Sequence, residues 1–235
     1  MSKSRDFIKW SPPRVILTQD WHAPYGTEFY GMSGFEYFGN YIGLIWIYNN
    51  APGDKSMNIQ LASSSDGENW HRASNRKIFM DTGKPDDWDG GTILMSFGPV
   101  VSPPGAEDEL WFYYGGGTTT HYDKRFRQNS IGLATLRIDS FTSMHSGIFN
   151  GKLRTKPIRV SGSKMYCNYK TLHGGLKIKI LDTKKNILYE SKKFTGNEIR
   201  KLVEWNNIEN LDLKNRKIVI IFYMNRCDLF SFWFE

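Results

Sequence analysis

Cysteine is scarce: Cys167 and Cys227 are the only two in 235 residues, and neither belongs to a CxxC pair or a Cys/His cluster. That excludes a thiol redox motif and a cysteine-based metal motif, leaving two buried thiols, or one disulfide if their strands are neighbours. Long apolar runs are missing as well. No segment approaches the roughly 20 apolar residues of a membrane helix, and Met1-Ser2-Lys3-Ser4-Arg5 is not followed by the apolar stretch of a secretory leader. As given, the chain is expected to carry no export signal and to make no membrane contact, and its compartment is left open. Helical periodicity is absent beyond a turn or two. What is plentiful is core-forming material: 40% of residues are hydrophobic and 15% aromatic, which excludes disorder.

Charge of one sign is also unevenly supplied. Residues 1–150 hold 13 Lys and Arg against 16 Asp and Glu, or −3, whereas residues 151–235 hold 18 against 8, or +10. The change of sign marks a domain boundary better than it marks a polyanion partner. In Leu176-Lys177-Ile178-Lys179-Ile180 basic residues alternate with apolar ones, the pattern of a strand with one solvated face. No recognised nucleic-acid motif accompanies these lysines, so a solvated sheet face is expected ahead of a nucleic-acid patch.

The chain contains one short phrase twice, 60 residues apart: Ser4-Arg5-Asp6 followed by Trp10, and Ser64-Ser65-Asp66 followed by Trp70. In S-x-D-x-x-x-W the Asp carboxylate can accept hydrogen bonds from the next backbone N–H groups, and Gly67 supplies the positive φ that a tight turn often needs. The Trp offers a flat apolar body to wedge against a neighbouring unit. The first copy has no strand before it, so the chain is expected to begin in the middle of a fold.

Strands are expected at about 33–38, 41–48, 57–64 and 70–80, then near 93–101, 109–115 and 129–137, with a polar loop at 116–128. Ile131-Gly132-Leu133-Ala134-Thr135 aligns with Ile59-Gln60-Leu61-Ala62-Ser63, so the meander restarts. From about 140 come short strands at roughly 152–160, 164–169, 175–182, 187–190, 199–205, 216–224 and 227–234, as in an antiparallel β-sandwich. The expected fold is therefore all-β: a partial β-propeller of two to three blades over residues 1–140, then a β-sandwich over 141–235.

Three places carry candidate chemistry. The segment Asp20–Met32, expected as a loop before an inner strand, places Glu28 among aromatics that include Tyr30. Sugar chemistry needs this combination: rings stack on the C–H faces of the sugar, and a desolvated carboxylic acid can protonate a leaving oxygen. The alternative is a solvated loop glutamate. In Asp86-Asp87-Trp88-Asp89, Trp88 and Asp89 are the candidates for sugar contact; a turn cap is the competing reading, and calcium ranks below both because the spacing fits no calcium loop. The Gly-rich segment Tyr113–His121 lacks the Lys-Ser/Thr and helix of a phosphate loop, and His121 can donate to a substrate or simply stand exposed. No metal ligand set and no cofactor motif is evident, and no Ser/His/Asp or Cys/His set assembles.

Several phrases resemble the five-bladed propeller glycoside hydrolases of families 32 and 43, more narrowly the family-32-like proteins in which a propeller is followed by a β-sandwich. They are Phe35-Glu36-Tyr37-Phe38-Gly39-Asn40-Tyr41, the Leu61–Trp70 hairpin, Glu109-Leu110-Trp111-Phe112-Tyr113-Tyr114-Gly115-Gly116 and Ile131-Gly132-Leu133-Ala134. The resemblance implies hydrolysis of O-glycosidic bonds by an Asp from a first blade, a second Asp and a Glu acid from a middle blade. Glu28 stands for that acid, without the family's Glu-Cys-Pro or Glu-Gly-Pro context, while Tyr30, Trp88, Asp89 and His121 line the sugar subsite. The first-blade Asp has no counterpart, so the isolated chain is expected to be weak or inactive. A longer parent, a partner chain or a homo-oligomer would complete the propeller. The competing expectation is a non-catalytic carbohydrate-binding or structural module.

Overall fold

The computed structural model describes residues 1–124, 128–206, 208–213 and 216–235. It is nearly all β, in two sheets. The chain divides into two compact units, Met1–Leu136 and Arg137–Glu235. Among the described residues no helix is long and apolar enough to cross a membrane.

The first unit contains β1 (Thr27–Tyr37), β2 (Asn40–Asn49), β3 (Met57–Ser64), β4 (His71–Arg72), β5 (Ile78–Met80), β6 (Thr92–Met95), β7 (Val100–Val101), β8 (Glu109–Gly117) and β9 (Asn129–Arg137). The sheet order is β1-β2-β3-β6-β8-β7, with β4 and β5 paired to β3 and β9 to β8. The β1–β2, β2–β3, β3–β4, β3–β5, β6–β8 and β7–β8 ladders are antiparallel, and a parallel bridge, Met57 to Thr92, joins the second meander to the first. Alternation sends Leu44, Ile59 and Leu61 to one face of the first meander and Ile45, Ile47 and Ala62 to the other, and all six are buried. Phe112 of β8 then packs against Phe35 and Phe79, with ring centroids 6.3 and 6.4 Å apart.

Three expectations are corrected here. Residues Thr27–Met32 are not loop but the first half of β1, so Glu28 and Tyr30 sit on a strand. The expected strand at 70–80 is split into β4 and β5, because Ser74, Asn75 and Arg76 all adopt positive φ and leave the ladder. Gly116 and Gly117 belong to β8 rather than to the polar loop expected at 116–128, of which residues 125–127 lie outside the described residues.

The second unit contains β10 (Met144–Ser146), β11 (Gly151–Arg154), β12 (Ile158–Arg159), β13 (Met165–Asp182), β14 (Ile187–Glu190), β15 (Asn197–Leu202) and β16 (Lys217–Phe234). Where four short strands were expected, β13 and β16 each run for 18 residues. The expected breaks are irregularities in one ladder: Thr171 pairs with Cys227 and Gly175 with Asn225, so three residues oppose one, and His173 and Arg226 take positive φ there. Beyond that bend the strands exchange neighbours. The first half of β13 adds β15 and the second half adds β14, while β16 takes β10, β11 and β12 along its other edge.

One face of this bent sheet encloses a continuous core that includes Met165, Tyr169, Leu176, Ile178, Trp205, Ile220 and Phe222. Burying a large apolar side chain stabilises the fold by roughly 1.5–3 kcal/mol, so such a cluster dominates the stability of this unit. The Tyr169 hydroxyl is satisfied inside it by the Thr195 carbonyl at 2.7 Å. Cys167 and Cys227 are buried free thiols. Burial holds both in the protonated form, Cys227 pushed up to about 12.

Candidate functional site

The open end of the first meander is shaped by a bulge. The β1–β2 hairpin pairs Tyr37 with Asn40, and an unbroken register would set Glu28 against Asn49. A one-residue shift between Phe29 and Gly31 sets Glu28 against Tyr48 and leaves Tyr30 out of the ladder, half exposed. Bulges commonly re-aim a side chain in this way. Tyr30 meets His121, which follows β8, with ring centroids 5.1 Å apart.

His121 is surrounded by tyrosine rings. Tyr48 stands at 5.2 Å and Tyr122 at 5.3 Å, and all three tyrosines present themselves edge to face at interplanar angles of 68–79°. The backbone holds this residue in place, with His121 N–H donating to the Lys55 carbonyl at 3.2 Å. The Lys55 ammonium lies 5.6 Å from the Tyr122 centroid and bonds the Asn50 side-chain oxygen. Asn50 in turn donates its amide to Glu28 Oε1 at 2.7 Å, so carboxylate, amide and ammonium form one relay. Burial, aided by Tyr122 and by the Glu28 and Asp54 carboxylates, raises the Tyr48 phenol above its ordinary value. Tyr48 therefore acts at neutral pH as a hydrogen-bonding hydroxyl.

Beside these rings lies a pocket of about 330 Å³ whose wall includes Tyr30, Thr92, Leu94, Gly116, His121 and Asn129. Two of the five expected site residues, Tyr30 and His121, are in that wall. Glu28 is outside it, tied to Asn50 and paired with Tyr48. Trp88 and Asp89 lie over Gly116, where a Cβ would come within 2.5 Å of the indole and 2.6 Å of the Asp89 Cβ. Only a glycine allows that approach.

Asp89 has a specific partner: the Tyr114 hydroxyl donates to its Oδ2 at 2.7 Å. Burial, then this carboxylate, pushes the Tyr114 phenol up to about 12. Trp88, 40% exposed, lies tilted over the same Tyr114 ring at 5.5 Å. Asp87 caps the turn by accepting the Lys84 N–H at 2.7 Å. Among the described residues no group of three or more His, Cys, Asp or Glu is placed to hold a metal ion.

Tyr48, Asn50, Lys55 and Tyr122 were not anticipated from sequence. Tyr48 reads there as one more apolar position of β2, and only the bulge brings it opposite Glu28. Tyr122 could have been suggested by its adjacency to His121.

Comparison with known proteins gives no matching family model and no significant match among curated proteins. Solved structures that it resembles include glycoside hydrolases. One is a putative glycoside hydrolase from Parabacteroides distasonis, with a TM-score of 0.30 and 10% identity over 82% of this chain and 52% of that one. Another is a family 43 arabinoxylan arabinofuranohydrolase from Bacillus subtilis, in complex with cellotetraose, with a TM-score of 0.27 and 11% identity over 86% and 53%. A third is a family 32 β-fructofuranosidase from Bombyx mori, with a TM-score of 0.29 and 9% identity over 98% and 71%. The chain spans about half the length of the first two. At these scores no residue role is carried across from them.

Proposed function

We propose that this chain is a carbohydrate-active β protein of glycoside-hydrolase-like construction, with its sugar site at the His121 pocket. The observation that carries the reading is the tyrosine surround of His121, joined through Asn50 to the Glu28 carboxylate and open to a pocket of about 330 Å³. Aromatic edges and faces grip the C–H surface of a sugar, and the few polar groups among them orient its hydroxyls. Glu28 is the general acid of this reading, and Tyr30 and His121 form the subsite. Trp88 and Asp89 support it from behind Gly116.

Glycoside hydrolysis uses two carboxylates across the scissile bond. Near this pocket Asp54 is engaged by the Ser56 N–H and Asp89 by the Tyr114 hydroxyl. The reading therefore gives the isolated chain sugar binding with little or no turnover, and hydrolysis where further blades supply the second carboxylate. The test is calorimetric titration with arabinan and fructan oligosaccharides beside an aryl-glycoside assay. Saturable binding is expected, weakened about tenfold or more by Tyr30→Ala, a loss of about 1.4 kcal/mol or more. Turnover, where present, is abolished by Glu28→Gln. Binding without turnover that ignores Glu28→Gln supports a binding module, and no binding to any neutral glycan overturns both.

A further inference from the structure

The sheet of the second unit has an outer face that plays no part in the site above. Register places Tyr223 of β16 between Lys177 of β13 and Lys152 of β11, and places Ile221 between Lys179 and Arg154. Leu181, Val219 and Ile221 form a small buried cluster on this face, while their alternating neighbours Ile218, Ile220 and Phe222 enter the main core. Two pockets of about 370 and 390 Å³ adjoin here and share Lys179 and Tyr223, with Lys185 in the wall of the first and Lys193 in the wall of the second.

The charges on this face do not balance. Lys177 and Lys179 share Glu190, whose carboxyl they hold below its ordinary value. Asp182 is turned to Asn186. Among the described residues no carboxylate pairs with Lys152, Arg154, Lys185 or Lys193. Covering apolar side chains explains where long basic stems lie, but it leaves Lys152, Arg154, Lys185 and Lys193 lining two adjoining pockets with no paired carboxylate among the described residues to offset their like charge.

We propose that this groove binds an anionic polysaccharide, a chain of sugars bearing carboxylates. Carboxylates along a sugar chain can meet the ammonium groups one by one, while C–H surfaces rest on the apolar wall of the groove, which includes Leu181, Ile187 and Ile221. Single-stranded nucleic acid is disfavoured because it needs open aromatic faces for its bases. Here the Lys152 and Lys179 ammoniums already stand 5.7 and 5.8 Å from the Tyr223 centroid. The sugar half of the proposal rests on the reading of the first unit; the anionic half rests on this face alone.

The full chain is titrated calorimetrically with polygalacturonate, its methyl ester, neutral arabinan and single-stranded DNA. Polygalacturonate is expected to bind, with affinity falling about tenfold between low and roughly 0.3 M salt as screening sets in. The methyl ester binds at least tenfold more weakly. Lys152→Glu with Lys193→Glu lowers polygalacturonate affinity tenfold or more while leaving arabinan binding and the thermal midpoint unchanged; Lys152→Gln with Lys193→Gln, which is gentler on the fold, gives a smaller loss in the same direction. The proposal is overturned by equal affinity for the methyl ester, by DNA binding more tightly than polygalacturonate, by indifference to both double variants, or by no binding. Failure of the first-unit reading shows separately, as absent arabinan binding with charge-sensitive polygalacturonate binding intact.

Discussion

The two S-x-D-x-x-x-W turns lie side by side in the first unit and share nearly every local hydrogen bond. Asp6 Oδ1 accepts the Ile8 and Lys9 N–H groups at 2.9 and 2.8 Å; Asp66 Oδ1 accepts those of Glu68 and Asn69 at 2.8 and 2.7 Å. Each indole donates to a carbonyl three residues back, Trp10 to Phe7 at 3.3 Å and Trp70 to Gly67 at 3.0 Å. Glu68 links the two turns by pairing with Lys3 and Arg14. Their surroundings differ. Trp70 packs on Gly34 and Gly43 of the first meander and on the Ile45, Ile47 and Ala62 cluster, whereas Trp10 is 53% exposed beside an 84% exposed Phe7. A turn can therefore be written locally and still gain its wedge only where a sheet face is there to receive it.

The largest test of that difference is deletion of each indole. Trp70→Ala should lower unfolding stability by about 2 kcal/mol, part of the usual cost for a fully buried aromatic, while Trp10→Ala should stay within about 0.5 kcal/mol. Urea unfolding of both variants measures it, and equal losses would erase the contrast. Next comes the left-handed position, which is Gly67 in one turn and Phe7 in the other, at φ of 72° and 58°. Gly67→Ala should cost about 1 kcal/mol, because a Cβ there meets no close atom but L-residues disfavour that region. Phe7→Asn should stabilise by about 0.5 kcal/mol, since Asn tolerates it.

The smallest effect is acid sensitivity. Backbone and side-chain donation from Asn69, then from Glu68 and Ser64, holds the Asp66 carboxyl well below its ordinary 3.8, and Lys9 and Ile8 hold Asp6 below it too. A carboxylate favoured in the folded state stabilises above the ordinary value and loses that contribution as pH falls through the depressed one. Asp66→Asn should therefore be less stable than the native chain at pH 6, with the gap closing only well below pH 3.8. A gap that closed on raising the pH would reverse the assignment.

Much of the architecture was legible because alternation has a short period. Ile59-Gln60-Leu61-Ala62-Ser63 and Ile131-Gly132-Leu133-Ala134-Thr135 announce β3 and β9 from residue types alone. The long strands were not legible. Leu172-His173-Gly174 and Arg226 look like breaks, and whether such residues end a strand or bend it depends on the partner strand opposite, here about 50 residues away in sequence.

The candidate site divides in the same way. Residue types alone mark Glu28, Tyr30, Trp88, Asp89 and His121 as candidates, since carboxylates among aromatics suit sugar chemistry wherever they fall. Only the tertiary structure decided that Tyr30 and His121 share a wall, that Asp89 is held by Tyr114, and that Tyr48, Asn50 and Lys55 join Glu28. The reason is register. A one-residue bulge at Tyr30 changes which side chains face each other across β1 and β2, and it leaves no signature in composition or period from which it could have been read.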